Sequence, residues 1–295
     1  MKLTKIFVLV AFVVLLSSSI LLAQEPAAEK PASEEKKPEY GWKNALVTGI
    51  NMTQTSFSNW KQGGENTFAW QINLNFNFTQ DLEKTNWANS GKLIYGQTRT
   101  GDAESRKSID EIKLESVLTY KMGIYINPFV AATGESQFAP GYDYSKTPKQ
   151  KLSTFIDPAY FRESLGVGYE PNKIIKTRLG VALKQTVTRN IPQPYADDPK
   201  TTAEIEKFKN EVGAESVTDV NWKLTETTLL TSKLELFSTL KAFDETDVKW
   251  DNVLTTKISK YFNINLNAMI FYDKDISKKR QLKQALALGF VYTFL

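Results

Sequence analysis

Bulky apolar side chains fall on alternate residues along most of this chain. From Phe68 to Phe78 every even position is Phe, Trp, Ile or Leu, while most odd positions carry an amide. A period of two puts the two kinds of residue on opposite faces of a β-strand. Twelve such segments recur: residues 44–56, 66–80, 87–99, 109–121, 124–136, 159–170, 174–187, 212–222, 227–240, 247–259, 261–273 and 281–294. In 261–273 Phe262, Ile264, Leu266, Ala268, Ile270 and Tyr272 oppose Asn263, Asn265 and Asn267. In 227–240 Leu230, Leu234, Leu236 and Leu240 oppose Lys233 and Glu235. The pattern is weakest in 44–56, 87–99 and 124–136, where Pro128 interrupts the last.

The connections alternate in length. Long ones follow the first, third, fifth and seventh segments, short ones such as "KMG" and "EPNK" follow the second, fourth, sixth, eighth and tenth, and those after the ninth ("KAFDET") and eleventh ("KDISKKR") are intermediate. Short turns at one end and long loops at the other, with both termini on the short-turn side, are the build of outer-membrane barrels. The run from Phe68 to Phe78 also fits by length. Eleven residues at ~3.3 Å rise extend about 33 Å, and a tilt of about 45° brings that to roughly 24 Å, close to the apolar band of such barrels. Aromatic residues near segment ends (Trp42, Trp70, Trp87, Tyr120, Tyr169, Trp222, Trp250, Tyr261, Tyr272 and Tyr292) suit an interfacial girdle. The expected fold is all-β: a transmembrane, antiparallel, up-and-down barrel of about twelve strands. The competing architecture is a soluble, secreted sandwich or barrel with its apolar faces turned inward. Long strands and charge-rich polar faces weigh against it.

In the loop over 188–211, Ile205, Phe208 and Val212 recur at i, i+3 and i+7. That spacing predicts a short amphipathic helix in an external loop, folded over the mouth.

Parity assigns the charges of the polar face. Arg162, Lys176, Arg178 and Lys184 form a basic patch; Glu111, Lys113 and Glu115 lie on one other segment and Asp247, Lys249, Asp251 and Lys257 on another. Turned inward, they either line a narrow charged lumen that filters small solutes or pair and plug it. Glu163 breaks the rule, since its parity is that of Phe161 and Leu165. Either it stands above the membrane or the segment carries a bulge.

Composition changes the picture mainly by what is missing. The 295 residues include no Cys and no His, which removes disulfides, thiol nucleophiles, Ser-His triads and histidine or thiolate metal sites. No catalytic residue, cofactor or metal site is assigned. A carboxylate-dependent hydrolase remains as a minor alternative, and a structural or adhesive surface barrel as another. With a formal net charge of +4 and no Lys/Arg run, nothing marks a nucleic-acid partner. No signal specifies an oligomeric state.

Residues 1–23 read as a secretory signal peptide: Lys2 and Lys5, then the apolar run Ile6 to Leu16, then small residues to Ala23. Residues 24–40 read as a disordered linker of Pro, Ala, Glu and Lys, and the barrel domain takes 41–295.

Two resemblances add to this. "LALGFVYTFL" resembles the terminal strand that the barrel-assembly machinery recognises, through Tyr292 and Phe294, although Leu295 stands where that signal ends in Phe. "NWKQGGEN", "QFAPGYDY" and "DPAYFRESLGVGYEPN" together resemble a family of predicted outer-membrane β-barrels of Gram-negative bacteria, known only as a domain of unknown function. Its Asn-Trp, Gly-Gly and Asn signature falls on Asn59, Trp60, Gly63, Gly64 and Asn66. Its second signature falls on Pro140, Gly141 and Tyr142. The resemblance implies location in the outer-membrane bilayer and a barrel architecture over about 41–295, and no activity. Locally, Gly63 and Gly64 suit positive φ in a hairpin loop, and Pro140-Gly141 suits a type II turn. Trp60, Tyr142 and Tyr144 are either anchors and packing groups or contacts for a ring-shaped ligand.

Overall fold

The computed structural model describes residues 40–59, 61–123, 125–197, 204–240 and 246–293. The signal peptide, all but the last residue of the linker, Trp60 and the closing Phe294 and Leu295 lie outside the described residues.

Twelve long strands close into one antiparallel barrel: β1 (Gly41–Thr55), β2 (Thr67–Asp81), β3 (Thr85–Thr100), β4 (Arg106–Tyr120), β5 (Asn127–Ser136), β8 (Ala159–Tyr169), β9 (Ile175–Val187), β10 (Phe208–Lys223), β11 (Thr228–Thr239), β12 (Thr246–Lys257), β13 (Phe262–Tyr272) and β14 (Gln281–Thr293). Each pairs with its neighbour in chain order, and β14 returns to β1. A small hairpin, β6 (Gly141–Asp143) with β7 (Gln150–Ser153), stands apart in the β5–β8 connection. Every expected segment is a barrel strand, displaced by a few residues at its ends.

The two faces are inverted relative to a soluble protein. Leu286 is 71% exposed, Leu165 60% and Val130 61%, whereas Glu215 is 3% exposed and Lys184 6%. Outward positions carry the Leu, Ile, Val and Phe of the even or odd stripe; inward positions carry the charges. A soluble barrel would bury the apolar stripe, because hydrocarbon in water is unfavourable. An apolar exterior around a polar interior suits a bilayer, where pairing of each strand with its neighbours satisfies backbone groups that hydrocarbon cannot. The chain is therefore a transmembrane β-barrel. Trp42, Trp87, Tyr120, Tyr169, Trp222, Tyr261 and Tyr292 are exposed at the strand ends on the short-turn side. They form one girdle there, while Trp70, Trp250 and Tyr272 lie toward the long loops.

Three local expectations are corrected or resolved. The amphipathic helix does not form: Phe208 and Val212 belong to β10, both outward and about half exposed, and residues 204–207 are not helical. Phe208, Val212 and Val220 also share even parity, and pairing with β9 and β11 selects that period. Pro140-Gly141 is no type II turn, because that turn needs positive φ at Gly141, which is absent from the positive-φ glycines. Gly141 instead opens β6, where an added Cβ would lie 2.6 Å from Ser153 Oγ. Glu163 points outward without a bulge, since β8 keeps its register against both β5 and β9.

Gly166 and Gly180 face each other across β8 and β9. A Cβ on Gly166 would lie 2.1 Å from Leu179 O and 2.5 Å from Gly180 Cα, so backbone itself would have to move. Gly166→Ala is expected to cost about 1–3 kcal/mol, as overpacking does. The check is the denaturant midpoint in lipid vesicles; Gly123→Ala, where nothing lies within 4 Å, serves as the neutral comparison.

Candidate functional site

The interior of the barrel is crossed by a single file of alternating charges. It runs Asp251, Lys92, Glu111, Lys249, Glu135, Lys113, Glu235, Arg162, Glu215, Arg178, Glu115, Lys233, Asp219. Each cation touches two carboxylates. Lys92 lies 2.9 Å from Glu111 and 3.3 Å from Asp251. Lys249 lies 2.6 Å from Glu135 and 3.3 Å from Glu111. Lys113 lies 2.7 Å from Glu135 and also binds Glu235. Arg162 reaches Glu215 at 3.1 Å and Glu235 at 3.6 Å. Arg178 binds Glu115 and approaches Glu215 at 3.8 Å. Lys233 lies 2.5 Å from Glu115 and 3.8 Å from Asp219.

Strand parity explains how these side chains meet. β3 and β4 supply Lys92, Glu111, Lys113 and Glu115, while β11 and β12 supply Lys233, Glu235, Lys249 and Asp251 from another part of the wall. A twelve-strand lumen is narrow enough for Lys and Glu side chains to span it. Neutral groups complete the belt: Ser164 Oγ donates to Glu215 at 2.9 Å, and Asn267 Nδ2 donates to Asp251 at 2.6 Å. Two aromatic rings are wedged against the cations. Phe237 lies under Arg162 (5.6 Å) and Lys184 (5.4 Å), and Phe129 under Arg178 (5.8 Å).

A second cluster lies toward the long loops. Lys184 sits 2.6 Å from Asp247, 3.3 Å from Asp273 and 3.6 Å from Glu211. Described residues of the connection after β9 pack against Asp157 and Tyr160 at the start of β8. Asp157, almost fully buried, accepts the backbone N–H groups of Arg189 (3.0 Å) and Asn190 (2.8 Å). Tyr195 packs edge-on against Tyr160 at 6.5 Å, and burial raises the Tyr195 phenol above its ordinary pKa.

Among the described residues, three of the cavities lie in succession along the barrel. One of about 570 Å³ opens at the short turns, lined by Asp81, Lys121, Glu170 and Lys176 among others. One of about 390 Å³ lies along the belt and shares Asn77, Ser90, Glu115 and Lys233 with the first. A third of about 160 Å³ lies under the long loops and shares Glu235 and Lys249 with the second.

Of the residues singled out by parity, Arg162, Arg178, Glu111, Glu115 and Asp251 are in the belt, and Lys184 and Asp247 are in the second cluster. Lys176 is in neither; it pairs with Glu170 at the short-turn rim, 3.0 Å away, with both side chains about half exposed. Asp247 and Asp251 are held by different lysines, so they do not form a carboxylate pair. The belt members missed were Lys92, Glu135, Glu215 and Asp219. Parity would have found them, but Lys92 and Glu135 lie in two of the three segments with the least regular alternation. Among the described residues no group of three acidic side chains is placed to hold a metal ion.

The signature loops have structural roles. Gly63 (φ +84°) and Gly64 (φ +129°) take left-handed conformations, as does Asn59 (φ 55°), and a Cβ on Gly64 would strike the Phe57 ring at 2.7 Å. Asn66 closes the loop by accepting the Phe57 N–H at 2.7 Å. Phe138 and Ala139, just before Pro140, donate their N–H groups to Asp110. Tyr142 and Tyr144 pack together at 6.0 Å, and Arg106 covers Tyr144 at 4.4 Å.

Comparison with known proteins gives a fold likeness and a family. Solved structures that resemble the chain include an outer-membrane channel from Pseudomonas putida F1 (10% identity, 90% of this chain and 100% of that one, TM-score 0.41). Others are the translocator domain of the autotransporter NalP from Neisseria meningitidis (9%, 88% and 90%, 0.39) and the NanC porin (8%, 85% and 100%, 0.40). No curated protein matches in sequence. The resemblance expected over 41–295 is met by two family models in tandem. "Protein of unknown function (DUF3078)" matches residues 52–142, and "Protein of unknown function, DUF481" matches residues 139–294. More than half of the chain lies under the second, and the chain belongs to the DUF481 family of proteins of unknown function.

Proposed function

We propose that this protein is a porin-like barrel of the Gram-negative outer membrane whose lumen admits only small polar or ionic solutes. Residues 1–23 direct its export, residues 24–40 form a tether, and the barrel-assembly machinery inserts it through the last strand. The observation that carries the reading is the belt: a file of ion pairs across the lumen, with cavities on both sides that share lining residues with the one along it. Such a constriction passes what can exchange hydrogen bonds with Lys, Arg and carboxylate side chains and stops larger molecules. The role proposed is not enzymatic.

One observation favours a second reading. Because every cation of the belt is bound to two carboxylates, the file also acts as a strut, and the barrel would then be a structural surface protein without transport. Planar-bilayer recording separates the two. Protein shown to be folded by its heat-modifiable gel mobility is expected to give small, discrete conductance steps; folded protein without steps leaves the strut.

A further inference from the structure

Among the described residues the barrel's closing seam is its shortest: β1 pairs with β14 from Val47 with Thr293 to Asn51 with Gly289. Every other barrel interface is longer; β1 with β2, for comparison, runs from Gly41 to Thr55. Toward the long loops, Met52–Thr55 and Gln281–Leu288 continue as strands with their facing edges unpaired. Those edges lie within the apolar band, since Leu282, Leu286 and Leu288 point outward and are more than half exposed. Hydrocarbon cannot satisfy free backbone N–H and C=O groups there. Thr53 and Ala285 have inward parity, opposite Ala69 and Asn267, yet both are exposed.

Beside this gap stands Lys283, on the inward face of β14. Its charged neighbours are Glu111, Lys92 and Asp251. Glu111 is bridged by Lys92 and Lys249, and Asp251 by Lys92. Lys283 itself makes no ion pair among the described residues, unlike the lysines of the belt. Thus a cation with no close ion pair of its own among the described residues, unpaired backbone groups and an apolar rim occur at one opening in the wall, with the belt's Glu111 and Asp251 near the cation.

We propose that the β1–β14 seam is a lateral site for a membrane lipid with an anionic phosphate head, the head entering toward Lys283 and the chains remaining outside along Leu286, Leu288 and Met52. The inference rests on the membrane placement of the barrel and not on conduction through the belt. It also makes the seam two-state. Continuing the observed register would bring Thr53 opposite Ala287 and close the gap.

The test uses full-length protein in vesicles of phosphatidylcholine containing radiolabelled phosphatidylglycerol. A photoreactive benzoyl-phenylalanine replaces Ala285, or Thr231 on β11, three strands away from β14, as the reference. Labelling at 285 is expected to exceed that at 231, and Lys283→Gln to lower it about tenfold, the scale of one charge-assisted hydrogen bond. Oxidised Thr53→Cys/Ala287→Cys, in a chain otherwise free of cysteine, is expected to abolish it. Heat-modifiable mobility verifies folding of each variant. Equal labelling at both positions, labelling insensitive to Lys283→Gln, or crosslinking to a second chain in place of lipid overturns the proposal. Absence of conductance leaves it untouched, so its failure and that of the channel reading are distinguishable.

Discussion

Lys249→Met is expected to destabilise the barrel by about 3–5 kcal/mol, the cost of breaking a buried ion pair from one side. Lys249 Nζ is the link between Glu111 and Glu135, at 3.3 and 2.6 Å, and its side chain is only 18% exposed. Without it, Glu135 retains Lys113 alone, and Lys113 is already shared with Glu235. The excess carboxylate would then have to take up a proton or draw water into the belt. The compensating variant is Lys249→Met/Glu135→Leu, which removes one cation and one anion together. It is expected to recover most of the loss, since replacing a buried pair by apolar groups is often neutral. The measurement is the urea midpoint of the protein folded in vesicles, followed by its gel mobility. A single variant within about 0.5 kcal/mol of the parent would mean that lumen water screens the belt as it does a surface pair.

The architecture was readable because a barrel strand in a bilayer has a demanding local grammar. Errors of parity are not tolerated where one face meets lipid: Ile264, Leu266 and Ile270 must all point outward, and Asn263, Asn265 and Asn267 inward. Loop-length alternation then supplied the topology. Failure came where local pattern admits two periods, as at Phe208 and Val212, or where turn chemistry was read from a dipeptide, as at Pro140-Gly141. The β6–β7 hairpin, three and four residues long, left too few positions for a period to show. Inward orientation of Arg178 and Glu115 was legible, but their meeting was not, because it depends on strand tilt and stagger around the barrel. The short β1–β14 seam was illegible for the same reason. Where β14 meets β1 follows from the accumulated stagger of all twelve strands, which no single segment encodes.

Depth within the bilayer should set the cost of a charge on the outer face. Leu266 lies in the middle of β13, outward, between Leu254 of β12 and Leu286 of β14. Leu266→Arg is expected to cost about 2–4 kcal/mol, as Arg does at the midplane of such barrels. Tyr292→Arg, at the short-turn girdle, is expected to cost about 0–1 kcal/mol, because its guanidinium reaches the headgroups. Inward Ala287→Ser, adjacent in the sheet, should stay within about 0.5 kcal/mol. All three sites lie on β13 and β14, and Leu266 and Tyr292 are exposed to a similar degree, 46% and 47%. Solvent exposure therefore cannot order them, and only a hydrocarbon layer of finite thickness can. In a water-soluble barrel Leu266→Arg would improve the surface and leave the unfolding midpoint almost unchanged. A flat profile across Leu266 and Tyr292, measured by reversible unfolding from vesicles, would remove the membrane placement on which the belt, the girdle and the seam all depend.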